Sequence, residues 1–275
     1  VRDETQDNTI RILFIGDVVG KPGRKAVQEM LDSLVDQHRI DLVAANGENV
    51  AGGFGITTDA AEELFEAGVH VLTSGNHVWD KREALKLLEA DDRILRPANY
   101  PPGTPGKGTA TVESPGGTKV IFINLSGRVF MDNVDCPFRE VDSILEKLPS
   151  EQVCIVVDFH AEATSEKRAL AMYLDGRVGA VVGTHTHVQT ADERILSSGT
   201  AYITDIGMTG NEEDSVIGID FTAARQRFLT QMPVRFNLAK GIPVLNGALL
   251  ELDTDTGKAV SIVRVTRSLG RSVSP

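Results

Sequence analysis

The chain has 275 residues, 41% hydrophobic and 24% charged, so it can bury a sizeable core and has the composition of a globular protein. A formal net charge of -11 argues against stable binding to nucleic acid or to an anionic membrane, both of which favour basic surfaces. The two cysteines, Cys136 and Cys154, are too few for a disulfide scaffold, and no apolar stretch reaches the length of a membrane span.

Val1–Thr9 is polar and acidic and lacks the basic start and apolar middle of a signal peptide. Residues 1–10 read as a disordered leader, 11–268 as one domain and 269–275 as a tail, with a cytoplasmic location by default. Ile12-Leu13-Phe14-Ile15 is a continuous apolar run, as expected of a strand buried on both faces. It exits into Gly16-Asp17, and a helical pattern runs from Arg24 to about Gln37. The glycines there lack the G-x-G-x-x-G spacing of a dinucleotide fingerprint. Asp41–Ala45 is a second strand, exiting into Asn46-Gly47-Glu48-Asn49, with Thr57 or Thr58 capping the next helix. Val69–Thr73 is a third, exiting into Ser74-Gly75-Asn76-His77, followed by a helix over Asp80–Ala90.

Arg96–Gly108, rich in Pro, Gly and Asn, reads as an irregular loop. Thr109–Glu113 and Lys119–Asn124 form a predicted hairpin, and a helix is expected from Pro137 to Leu148. Val153–Val157 is a buried strand exiting into Asp158-Phe159-His160-Ala161-Glu162; Cys154 within it reads as a small buried hydrophobe. The helix Ser165–Leu174 precedes the strand Val178–Val182, which releases Gly183-Thr184-His185-Thr186-His187. Beyond it, Arg194–Leu196 with Ala201–Thr204 and Val244–Leu252 with Ala259–Val265 read as hairpins, Asp205–Asp214 as a loop and Ala223–Leu229 as a short helix. The order is α/β: strands alternate with helices first, and the last third is mostly antiparallel.

Extended residues at i and i+2 point the same way, so one loop can present His185 and His187 to a single place. His-x-His also occurs on ordinary half-exposed strands. Four further strand exits carry ligand-type residues: Asp17, Glu48-Asn49, Asn76-His77 and His160. Each has a bland alternative, as helix cap, turn residue or hydrogen-bonded loop histidine. Coincidence at five exits is harder to explain, because parallel strands end at one sheet edge, where ligands bind. His38, at a helix end, and His70, in a strand, read as structural.

The series Gly16-Asp17, Gly47-Glu48-Asn49, Gly75-Asn76-His77, His160 and His185-x-His187 resembles the calcineurin-like metallophosphoesterases. Two departures, Val19 where that family has histidine and Glu48-Asn49 where it has a bridging Asp, resemble its YmdB-type branch. So do Phe14–Gly20 and Asp158–Thr164. The resemblance implies a four-layer α/β/β/α sandwich, two metal ions per chain and phosphodiesterase activity on 2',3'-cyclic nucleotides. It implies one metal site of Asp17, Asn49 and His187, a second of Asn76, His160 and His185, and Glu48 bridging them. Iron is the first expectation, with manganese or zinc also suited to mixed His, carboxylate and amide ligands. Two divalent ions against two carboxylates leave a positive residue that draws in a phosphate, and paired metals can share a hydroxide nucleophile for in-line displacement. His77, beside a ligand but outside the ligand set, is placed as general acid for the leaving ribose oxygen.

Asn99, Tyr100, Met208 and Thr209 are expected substrate contacts, with ordinary loop packing as the alternative. A phosphomonoesterase or 5'-nucleotidase on the same metals, and a regulatory metal-binding protein acting through partners, are the competing functions. The small diester is the expected partner, and homo-oligomerisation is left open.

Overall fold

The computed structural model describes residues 8–148 and 154–270. In chain order the elements are β1 (Thr9–Ile15), β2 (Asp17–Val18), α1 (Gly20–His38), β3 (Leu42–Asn46), α2 (Thr58–Glu66), β4 (Val71–Thr73) and α3 (Ala84–Ala90). They continue with β5 (Thr109–Glu113), β6 (Lys119–Ser126), α4 (Pro137–Leu145), β7 (Cys154–His160), α5 (Thr164–Tyr173) and β8 (Ala180–Thr184). The last third holds β9 (Arg194–Ile195), β10 (Ala201–Ile203), β11 (Met208–Asn211), β12 (Ser215–Val216), β13 (Ile219–Asp220), α6 (Phe221–Thr230), β14 (Pro243–Asp253) and β15 (Ala259–Ser268).

The strands form two large mixed sheets. The first runs β2-β11-β14-β1-β3-β4, with β15 on β14; the second runs β5-β6-β7-β8-β10-β9. Within them β1-β3-β4 and β6-β7-β8-β10 are parallel, while β14 is antiparallel to β1, β11 and β15. Alternation along each strand divides the core. Leu13 and Ile15 pack with Leu31, Leu34 and Leu64 of the helices on one face. Ile12 and Phe14 turn the other way, into a core shared with Phe122, Val156 and Val182 of the second sheet. Ile123, Val157 and Phe159 face Val141 of α4 and Leu170 of α5. No described helix is long and apolar enough to cross a membrane.

Several expectations shift. The ligand-bearing exits leave two sheets rather than one edge: β1, β3 and β4 from the first, β7 and β8 from the second. Thr9 and Ile10 belong to β1, so the expected leader does not extend to residue 10; residues 1–7, and 271–275 of the expected tail, lie outside the described residues. So does Val153, the start expected for β7. Helix α1 begins at Gly20 rather than Arg24. Pro22 sits in its first turn, where its missing N–H has no helical acceptor in any case. Helix α3 starts at Ala84 rather than Asp80, because residues 77–83 form turns in which Asp80 N–H donates to the His77 carbonyl. The expected loop Asp205–Asp214 contains β11. Thr57 caps α2, accepting from Ala60 N–H. His38 ends α1, and the His70 ring accepts from Val43 N–H, both structural positions.

Candidate metal centre

Where the two sheets end, Asp17, Glu48 and His160 are buried together, with Asn49 beside them and Asn76, His185 and His187 half-buried around them. Two groups of three could each hold an ion: Glu48, His160 and His185, and Asp17, Glu48 and His187. Within each group the ligand atoms lie within 4.8 Å of one another, and Glu48 is common to both. The two amides complete the setting. Asn76 Oδ1 is 3.0 Å from His160 Nε2, and Asn49 Nδ2 is 3.3 Å from His187 Nε2.

Each ring is turned by a fixed partner. Thr184 Oγ1 donates to Asp158 Oδ1 at 2.7 Å, so its lone pairs receive the Nδ1–H of His160 at 2.9 Å, and Nε2 faces the cluster. Asp158 is itself held by Thr73 Oγ1 at 2.5 Å and Asn46 Nδ2 at 3.1 Å. His187 donates Nδ1–H to the Ile217 carbonyl at 3.0 Å, which also leaves Nε2 facing in. His185 does the reverse: Nε2 lies 3.1 Å from Glu162 Oε2, and Nδ1 faces His160 Nε2 at 3.0 Å. Such outer partners set the tautomer and basicity of a metal-binding histidine.

Two bare ring nitrogens 3.0 Å apart repel unless a proton or a cation lies between them. His160 Nε2 also faces Glu48 Oε1 at 3.3 Å. Burial opposes charge on His160, but the carboxylates of Glu48 and Asp17 prevail and raise it to about 9. His185, half-buried and facing that cation, falls to about 3. Burial lifts Asp17 to about 6, against the pull of His187 and His160. Glu48 is also buried, yet the neighbouring His160 and the His77 N–H bring its carboxyl well below the usual range. Two buried acceptors, Asp17 Oδ1 and Asn49 Oδ1, have no hydrogen-bond partner among the described residues. Turning over the Asn49 amide, which is nearly isosteric, would bring its oxygen into the cluster. A Cβ on Gly75 would stand 2.2 Å from His160 Nε2 and 2.5 Å from Glu48 Oε2, so this position keeps the cradle open. Orphaned oxygens, converging ring nitrogens and a cradle that a methyl group would fill all suit cations.

His77 stands at the rim. Its backbone N–H donates to Glu48 Oε2 at 3.2 Å, while its Nδ1 meets Asp80 Oδ2 at 2.9 Å and its ring packs edge-on against Phe54. That leaves Nε2 unengaged by the described residues. A cavity of about 300 Å³ opens above the cluster, with Glu48, Asn49, His77, His185 and His187 on its floor. None of the four expected substrate contacts lines it. Asn99 is buried, donating to the Ser126 and Asp135 carbonyls and accepting from Ser126 N–H. Tyr100 packs edge-on against Trp79. Met208 and Thr209 are buried in β11, paired with Asp17 and Val18 of β2, so they position the strand that carries Asp17. The residues that do line the outer cavity include Phe54, Ile217 and Phe236–Leu238, in stretches whose composition resembles ordinary loop. Glu162 and Asp158 were visible inside the His160 motif, but spacing alone gave no sign that they orient rings.

The profile of a family described as YmdB-like protein matches residues 13–265. A 2',3'-cyclic-nucleotide 2'-phosphodiesterase from Bacillus subtilis (strain 168) is 48% identical over 256 residues, 93% of this chain and 96% of that protein. A crystal structure of a hypothetical protein from Thermus thermophilus has a TM-score of 0.87 at 46% identity, covering 94% of this chain and 99% of that one. A crystal structure of a novel phosphatase from Mycoplasma pneumoniae has a TM-score of 0.90 at 34% identity, covering 96% and 95%.

Proposed function

The chain belongs to the YmdB-like protein family, an enzyme of the metallophosphoesterase type, and from that premise we propose that it is a binuclear metal-dependent phosphodiesterase cleaving 2',3'-cyclic nucleotides to nucleoside monophosphates. The observation that carries the proposal is the pair of ligand groups sharing Glu48. In this reading Asp17, Asn49 and His187 would hold one ion, Asn76, His160 and His185 the other, and Glu48 would serve both. Residues 11–268 act as one catalytic unit, and the two sheets with their outer helices form a four-layer α/β/β/α sandwich. A cytoplasmic location and iron as the resident metal, with manganese or zinc as alternatives, belong to the same proposal.

Bound ions would supply Lewis acidity and an activated water, and would offset the two carboxylates so that a phosphate is attracted despite the acidic surface. The chain's own residues do the rest. Thr184, Glu162 and the Ile217 carbonyl keep the three rings turned inward, so little reorganisation remains when substrate arrives. As general acid, His77 would offer Nε2–H to the ribose oxygen that leaves when the cyclic ester opens, with its Nδ1 held by Asp80. The half-buried cavity limits bulk water around that oxygen.

A monoesterase on the same ligands is the competing reading, raised by the phosphatase among the structural relatives. Metal-loaded protein should open adenosine 2',3'-cyclic phosphate to a monophosphate and stop there. Release of inorganic phosphate from adenosine monophosphates, with the cyclic diester untouched, would replace the diesterase by the monoesterase.

A further inference from the structure

Resting on the phosphodiesterase reading and deepening it, we infer that the outer half of the cavity is a nucleobase site, with the Phe236 ring as its stacking surface and the Asn237 amide as its hydrogen-bonding group. The cavity has two chemistries. Its polar part carries the histidines with Glu48, Glu162 and Thr186, while its outer wall is made by Val19, Phe54, Ile217, Ile219, Phe236 and Leu238, with Asn237 among them. That wall carries no charged side chain. It suits the neutral, planar end of a molecule whose anionic end reaches the floor. A sugar would need several polar partners along the wall, and only Asn237 offers a side-chain amide there. A base needs a π-surface and one or two edge contacts.

Both aromatic rings are held in reserve rather than packed away: Phe54 is 38% exposed and Phe236 41%. The Asn237 amide makes no hydrogen bond to a described residue, although the backbone around it is pinned. Its carbonyl accepts from Asp220 N–H at 2.9 Å, and Ala239 N–H donates to the Gly218 carbonyl at 2.9 Å. The Ala239 carbonyl accepts from Asn211 Nδ2 at 2.6 Å. Leu238 is the anchor. It lies against Gly20 and Gly53, both at positive φ, where an added Cβ would meet it at 2.3 Å and 2.9 Å. The ring of Phe236 is thus carried two residues from a fixed point, by a segment whose neighbour Ile217 also orients His187. One wall of the cavity therefore supports a metal ligand and faces the base at the same time.

Phe236→Ala is the cleaner probe, because Phe54 also touches His77. The kcat/KM for adenosine 2',3'-cyclic phosphate, divided by that for base-free methyl riboside 2',3'-cyclic phosphate, should fall roughly tenfold, the usual order of a stacking loss. Phe236→Tyr should restore the ratio. Calorimetry on the metal-loaded protein should show adenosine 2'-monophosphate bound less tightly by the alanine variant, and ribose 5-phosphate bound as by the parent. A ratio unchanged in Phe236→Ala, or equal loss of both phosphates' binding, would overturn the base site. Parent protein that cleaves neither cyclic phosphate would instead fail the diesterase reading, and the calorimetric comparison would still decide the base site by itself.

Discussion

His77 and His160 leave strand ends of different sheets, yet meet at one cluster, where their partners leave them in different settings. His160 is closed in by Thr184, Asn76, Glu48 and His185, while His77 meets a carboxylate on one nitrogen and the cavity with the other. His77→Ala should therefore keep its metals and lose roughly 10²–10⁴-fold in turnover on a ribose leaving group, the usual span for general acid catalysis. The loss should shrink for a nitrophenyl diester, whose leaving oxygen departs without a proton. Equal losses on both substrates would make His77 a positioning residue, and loss of metal would make it a ligand. The ligand-type residues themselves were legible in the sequence, because strand exits followed by Asp, Glu, Asn or His are local patterns. Their orienting partners were not. Glu162 and the Ile217 carbonyl reach their rings across 23 and 30 residues of chain, and only the folded geometry brings them together.

At the scale of elements, the His185–His187 loop hangs from a buried ion pair. Lys167 of α5 donates to Asp205 Oδ2 at 2.7 Å and to the Thr184 carbonyl at 2.7 Å. Asp205 Oδ2 in turn accepts from Thr186 N–H and Oγ1 at 3.0 Å and 2.7 Å. Lys167→Met leaves that carboxylate buried without its cation and should destabilise the protein by about 3–5 kcal/mol in urea unfolding. A change below about 1 kcal/mol would show that the loop's hydrogen bonds suffice. The edge between β3 and β4 gives a pH test. The His70 Nδ1 accepts from Val43 N–H at 3.1 Å, and burial lowers its pKa below the ordinary 6.5. The unfolded chain then binds a proton near 6.5 that the folded chain takes up only at lower pH. Its contribution is complete above 6.5 and is lost as pH falls towards the folded value. His70→Gln should show a smaller drop in stability between neutral pH and the acid side of that window; an unchanged drop would assign the dependence to other groups. The hairpins and the parallel strands were readable from period-two and continuous apolar runs. Strand β11, Met208–Asn211, was not, because Gly210 and Thr209 resemble loop and their strand character comes from pairing with β2 and β14.

Across the whole molecule, the two sheets bring their parallel strand ends to one place, and there an acidic chain gathers imidazoles around two carboxylates. The sequence showed an α/β order and the turn to antiparallel strands in the last third. It did not show that the exits came from two sheets, since an apolar strand reads alike in either. Nor did it show the outer cavity wall, built by residues whose meaning depends on Leu238 docking between two glycines. If Glu48 belongs to both ion sites, its loss must lower the metal content of each chain more than the loss of a ligand to one site. Plasma mass spectrometry of the metal-loaded protein should find two ions per chain in the parent, about one in His160→Ala and fewer than one in Glu48→Ala, with all three chains folded. Two ions retained by Glu48→Ala would contradict the shared ligand, and a parent that binds no more than one would contradict the binuclear centre itself.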